Sequence, residues 1–242
     1  MASRPIEAEL DAIGRAIDLA RETGSSLHVV HVSSGRGVRL VAEAKSAGIE
    51  VTCETCPHYL LFGEDDLEEL GAIGKCAPPL RLPSERDELW SELAAGSIDL
   101  VASDHSPAPT ALKTGENFFA VWGGVSGCQS LLPALIPEGR TRDVELSRVI
   151  SSVTAAPAER FRLPGKGGLH PGYDADLSIV DLDAAELLRA DALEYRHRHS
   201  PYVDRVPHAR VLRTVLRGQT IWRDGQPVGA PAGRLVKPSA VR

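Results

Sequence analysis

Three short apolar runs, residues 27–32, 49–52 and 98–102, alternate with segments of helical period, and that order restricts the chain to strand, helix, strand units of a parallel sheet. Ahead of the first run Ile6, Leu10, Ile13, Ile17 and Ala20 recur at helical spacing, and Gly24 is placed as a left-handed cap. Ser34 is positioned to cap a helix with apolar positions Val38, Leu40, Val41 and Ala44, stopped at Gly48. Residues 54–83, rich in Gly and Pro, read as a long loop. A helix carrying Leu89, Trp90 and Leu93 follows, with Ser84 and Asp87 as its capping box and Gly96 as its end. Folds of this kind build their sites at the carboxyl ends of the strands. His31 and Asp104 stand there.

After a Gly-rich loop at 115–127, residues 128–161 read as helical, with Pro157 opening a short separate helix. The pattern changes at Leu163-Pro164-Gly165-Lys166-Gly167-Gly168. Beyond it, β runs at 176–181, 211–216 and 219–223 are separated by the turns Pro171-Gly172 and Asp224-Gly225. The expected division is therefore 1–162 and a small β domain at 163–242.

The length of 242 residues suffices for one good core and a small second domain. It does not suffice for a whole eight-stranded barrel of about 250 residues plus an appendage. A formal net charge of −6 argues against nucleic acid or an anionic membrane as partner and leaves a small molecule as the expected ligand. No apolar stretch approaches the roughly 20 residues of a membrane span. Met1-Ala2-Ser3-Arg4-Pro5 leads into an amphipathic helix rather than a signal-peptide core, so a cytoplasmic protein is expected. In that setting Cys53, Cys56, Cys76 and Cys128 are expected as thiols.

His31 offers an imidazole for a divalent metal, and Asp104 a carboxylate that can bind metal and move a proton. Each also has a structural alternative: a hydrogen-bonded histidine in a buried strand, and an aspartate that anchors a loop or caps a helix. Cys53-Glu54-Thr55-Cys56 has the spacing of a redox pair or half a zinc site. No second ligand pair lies at the spacing that zinc ribbons need, so a structural role is expected. His58, at the start of the long loop, either contacts substrate or packs beneath the loop. The basic cluster Arg196-His197-Arg198-His199 reads as a solvated face.

The strings His28-Val29-Val30-His31-Val32-Ser33-Ser34, Glu54-Thr55-Cys56-Pro57-His58-Tyr59-Leu60, Lys75-Cys76-Ala77-Pro78-Pro79-Leu80-Arg81 and Ser103-Asp104-His105-Ser106-Pro107 occur in this order. Together they resemble the cyclic amidohydrolases, and within that family the allantoinase branch. The resemblance continues through Pro171-Gly172-Tyr173-Asp174-Ala175-Asp176-Leu177, His199-Ser200-Pro201-Tyr202 and Leu216-Arg217-Gly218.

The resemblance implies an α/β fold: the last three strands of a (β/α)₈ TIM barrel followed by a small carboxyl-terminal β-sandwich. It implies a binuclear site for zinc or a similar divalent metal. His31 matches the histidine of the sixth strand and Asp104 the aspartate of the eighth, which also moves the proton between attacking water and leaving nitrogen. His58 and Gly124 are assigned to substrate contact. The amino-terminal His-x-His pair, the carboxylated lysine and the fifth-strand histidine have no match here, so the metal site is incomplete. The chain is expected to be the carboxyl-terminal part of such an enzyme and inactive alone, the full-length form being a homo-oligomer. A cyclic amide or ureide is the implied substrate. The alternatives are a hydantoinase, dihydropyrimidinase or dihydroorotase and, from another class, a non-catalytic scaffold of the same fold.

Overall fold

A computed structural model describes residues 3–115 and 117–239. Met1 and Ala2 of the leading string lie outside the described residues. The order is α1 (Ile6–Thr23), β1 (Leu27–Val29), α2 (Gly35–Ser46), β2 (Val51–Thr55), α3 (Pro57–Leu61), α4 (Leu67–Leu70), α5 (Pro83–Ala95) and β3 (Leu100–Val101). It continues with α6 (Leu131–Thr141), α7 (Leu146–Val153), α8 (Ala155–Arg160), β4 (Leu177–Leu187), β5 (Pro207–Leu216), β6 (Gln219–Arg223) and β7 (Gln226–Pro227). Among the described residues no helix is long and apolar enough to cross a membrane.

The strands β1, β2 and β3 form a parallel sheet in that order, with Leu27 opposite Val51 and Thr55 opposite Val101. Helix α1 turns Ile13, Ile17 and Ala20 inward and ends at Gly24, whose φ of 67° is the left-handed cap its sequence requires. At the start of α2 the Ser34 hydroxyl accepts from the Gly37 N–H, so the predicted cap is the observed one. Val38, Val41 and Ala44 meet the α1 stripe and Val32 in one core that also takes Leu60, Leu89, Trp90 and Leu93. Full burial of each such side chain contributes about 1.5–3 kcal/mol.

Several boundaries differ from the sequence reading. The first and third strands are shorter than the apolar runs. The second strand runs on through Cys53, Glu54 and Thr55, beyond the 49–52 run and into the segment read as a loop. Its burial alternates, with Val51, Cys53 and Thr55 inward, so polar Glu54 continues the strand on the other face. The supposed loop at 54–83 holds α3, α4 and a 3₁₀ turn at Gly71–Gly74. The Ser84 and Asp87 capping box does not form. Pro83, with its missing N–H and preset φ, takes the first helical position and leaves Ser84 inside the helix. Pro157 lies in the first turn of α8 rather than opening it.

The second sheet is antiparallel, in the order β4, β5, β6, β7, and packs against α6. It departs from the sandwich implied by the resemblance: among the described residues there is one layer here, because four strands supply no second sheet to cover it. Leu177, Ile179, Leu182 and Leu187 of β4 remain exposed on that account. Tyr202 and Val206 nevertheless join the core of the parallel region.

Candidate active site

The four strings quoted above converge at the carboxyl ends of the parallel strands. The backbone ladder extends past the regular strands: Val32 N–H donates to Glu54 O at 2.8 Å, Ala102 N–H to Thr55 O at 3.0 Å, and the Thr55 hydroxyl to Val32 O at 2.8 Å. These bonds hold His31 and Asp104 on neighbouring corners of one rigid frame. Both residues adopt left-handed backbone conformations, with φ of 44° and 42°. That region is uncommon for a residue with a Cβ and persists where the surrounding structure dictates it.

Just after His31, the Ser33 N–H donates to Glu9 Oε1 at 2.7 Å, and the Ser34 hydroxyl donates to Glu9 Oε2 at 2.8 Å. Arg81 Nε donates to the Ser33 hydroxyl at 2.9 Å, and its guanidinium lies 3.8 Å from Glu9 Oε2. Only about a tenth of either side chain is exposed. The last residue of the Pro-Pro-Leu-Arg string therefore braces the turn that carries His31. Deeper in the sheet His28 stands between Thr52 Oγ1 at 2.7 Å and Glu54 Oε2 at 3.1 Å.

Asp104 lies at the rim. Burial pushes its carboxyl up from the usual range, His31 pulls it down, and Glu54 adds to the rise. His58 is on α3, 1% exposed, with neither ring nitrogen hydrogen-bonded. Burial, reinforced by His31, lowers it to about 3, so the ring is neutral. Its helix is held from both sides, by Trp90 Nε1 donating to Leu60 O at 2.7 Å and by the Tyr59 hydroxyl donating to Pro78 O at 2.7 Å. One donor atom each from Cys56, His58 and Asp104 lies within 4.8 Å of the others. Sequence reasoning assigned Cys56 a structural role. What spacing along the chain does not display is that Cys56, the residue after β2, lies beside the aspartate that follows β3.

The loop after β3 folds back alongside it. Ser106 N–H donates to Val125 O at 2.8 Å, and His105 Nδ1 accepts from Gly127 N–H at 3.1 Å. Gly124 N–H donates to Lys75 O at 3.0 Å, and a Cβ at Gly124 would overlap the Ser106 side chain. Glycine is needed at that close approach. Lys113, unmarked by the sequence reading, is buried and donates to the carbonyls of Ala72, Lys75 and Trp122 at 3.0, 3.2 and 3.1 Å, fastening the same loop. Burial lowers its ammonium to about 8. A neighbouring cavity of about 610 Å³ is bounded by Arg4, Lys75, Cys76, Phe118, Phe119 and Gly123. His31, His58 and Asp104 do not line it.

Residues 1–221 match the Amidohydrolase family. The allantoinase of Rubrobacter xylanophilus is 54% identical over 239 residues, covering 98% of this chain and 53% of that protein. The allantoinase of Deinococcus radiodurans is 48% identical over 240 residues, covering 99% and 53%. Among solved structures, the L-hydantoinase (dihydropyrimidinase) from Arthrobacter aurescens superposes with a TM-score of 0.89 at 34% identity over 93% of this chain and 51% of that one. The chain thus spans about half the length of the relatives it matches.

Proposed function

The chain belongs to the amidohydrolase family, and from that premise we propose that it is the carboxyl-terminal part of a metal-dependent hydrolase opening the hydantoin ring of allantoin to allantoate. In this reading residues 1–162 supply the last three strands of a (β/α)₈ barrel and residues 163–242 a small β domain. The observation that carries the substrate assignment is the 54% identity to an allantoinase along 98% of the chain. A hydantoinase or dihydropyrimidinase reading rests on the solved neighbour, at 34% identity, and is the second choice for that reason.

The donors present fit a divalent ion in part. An imidazole and a carboxylate stand at left-handed corners after β1 and β3, on either side of β2, and beside them the two nitrogens of His58 are buried with no partner. Two ligands do not hold two ions, so the remaining ligands are assigned to the half of the relatives that this chain does not span. A bound ion of this type lowers the pKa of water to about 7 and polarises the amide carbonyl.

The chain's own contribution is a proton carrier and its support. Asp104, its carboxyl raised by burial, accepts a proton from the attacking water and returns it to the leaving ring nitrogen. His31, close enough to act on both Asp104 and His58, leads into the turn braced by the Glu9, Ser33 and Arg81 network. Gly124, whose close approach to Ser106 sets the loop that follows Asp104, is the proposed substrate contact on that loop.

A chimera that joins this chain to the amino-terminal half of the Rubrobacter xylanophilus allantoinase tests the reading. It should hydrolyse allantoin in a chelator-sensitive manner and faster than dihydropyrimidines, while the 242-residue chain alone hydrolyses neither. A folded chimera with no allantoin hydrolysis, or one that prefers dihydropyrimidines, rejects the substrate assignment.

A further inference from the structure

Three donors at the ends of β2 and β3 form a set whose sulfur, that of Cys56, the proposed hydrolysis does not use. Cys56 leaves β2, His58 follows it in the first turn of α3, and Asp104 arrives from β3; their ligand atoms all lie within 4.8 Å of one another. We propose that Cys56, His58 and Asp104 bind one thiophilic divalent cation of the zinc type. The site goes beyond the hydrolase reading and does not rest on it. It shares Asp104 and the expected substrate contact His58 with that reading, and a carboxylate has a second oxygen to offer elsewhere.

The argument starts from His58. A fully buried imidazole with neither nitrogen hydrogen-bonded is costly, at about 1–3 kcal/mol for each unsatisfied group. A ring kept neutral presents a free lone pair, which is what a cation needs and what a proton does not take at neutral pH. Cys56 sits in the same apolar surroundings, and burial, with Asp104 and Glu54 adding to it, pushes its thiol well up.

That combination argues against a nucleophilic thiolate and imidazolium pair, since both groups are held in their neutral forms by burial. A metal reverses the balance. The sulfur–metal bond forms as the thiol proton leaves to solvent, and the cation's charge replaces the missing hydrogen bonds of the ring. Cys, His and Asp are all zinc ligands, and bonds of about 2.0 to 2.3 Å place tetrahedral donors about 3.3 to 3.8 Å apart. In this proposal the ion draws the three donors, now all within 4.8 Å of one another, into that range. Three protein ligands leave a fourth position open at the rim, where Asp104 is exposed.

Cobalt(II) titration of the metal-free 242-residue chain tests the site. One ion per chain should bind, with a thiolate-to-cobalt charge-transfer band and the intense visible bands of tetrahedral cobalt. Cys56→Ser should abolish the charge-transfer band, His58→Gln should weaken binding at least tenfold, and Cys128→Ser, at an exposed thiol, should change neither. X-ray absorption on the unaltered chain should find a single sulfur neighbour at about 2.3 Å, a readout that does not depend on any variant folding. Absence of a sulfur ligand, or a band that survives Cys56→Ser in a folded variant, overturns the proposal. Cobalt that is lost on His31→Gln yet indifferent to Cys56→Ser also overturns it, while leaving the hydrolase reading in place.

Discussion

The two sheets solve opposite problems. The parallel strands are short, two to five residues each, and are backed by fully buried Leu60, Leu89 and Leu93; their ends turn through left-handed corners at His31 and Asp104. The antiparallel sheet has strands of 11 and 10 residues, β4 and β5, whose pairing is interrupted by register shifts and whose outer face carries exposed Leu177, Ile179, Leu182 and Leu187. One region is rigid because it is buried and braced, and it holds His31 and Asp104 in an uncommon backbone conformation. The other repeats backbone hydrogen bonds over a long span and holds charges toward solvent, as Arg210 does with Asp181 and Glu186.

The sharpest way to break this contrast is to remove one carboxylate from each region. In the chimera, Asp104→Asn should lower kcat for allantoin by about 10² to 10⁴, because Asn keeps the shape but neither the charge nor the basic site. Asp176→Asn, at the entry to β4 where the carboxylate accepts from Arg217 N–H at 2.8 Å, should leave kcat within about twofold. Steady-state kinetics read both, and equal losses would erase the division of labour.

The brace comes next. Arg81→Ala leaves Glu9 buried without its cationic partner and should cost about 3–5 kcal/mol by urea denaturation. Arg210→Ala, removing solvent-facing pairs to Asp181 and Glu186, should cost under about 1 kcal/mol.

Packing gives the third test: Leu93→Ala, at 0% exposure, should cost about 2–5 kcal/mol. Ile179→Ala, at 47% exposure, should stay within about 0.5 kcal/mol. A large loss at Ile179 would mean that a second layer covers β4 in solution.

The smallest effect is a pH slope from the antiparallel region. His208, bonded to Val206 O at 2.7 Å and Ser130 Oγ at 2.9 Å, is lowered from 6.5 mainly by burial, with the Val206 carbonyl opposing. A lowered folded value means the unfolded chain takes up the proton first. The stabilisation is therefore full above about pH 6.5 and is lost as pH falls below it. Between pH 7 and 5, stability of the unaltered chain should drop more steeply than that of His208→Gln, by at most about 1.4 kcal/mol per pH unit. Equal slopes would exclude His208 as the group responsible.

Much of the parallel region was legible in the residues. Apolar runs and helical stripes placed β1, α2 and β2 near their observed positions, and Gly24, Gly48 and Gly96 marked helix ends because a left-handed turn there favours a residue without Cβ. Boundaries failed where a local signal met a stronger one. Ser84 and Asp87 have cap-forming side chains, but Pro83 fixes the first helical φ one residue earlier. Cys53 and Thr55 extend β2 because their inward faces are buried by neighbours remote in sequence.

By itself the sequence determined the parallel order of the first three strands, the change of character after residue 162, and the presence of a histidine and an aspartate at strand ends, since all of these follow from periodicity and local turn chemistry. Tertiary structure alone decided that Cys56 and His58 meet Asp104, that Arg81 reaches Ser33 and Glu9, and that Lys113 is clasped by three carbonyls. All of those long-range contacts except Lys113 to Trp122 join residues about 40 to 70 positions apart, and what makes them chemical is the loss of water around them, a property that belongs to the packed molecule and to no stretch of the chain.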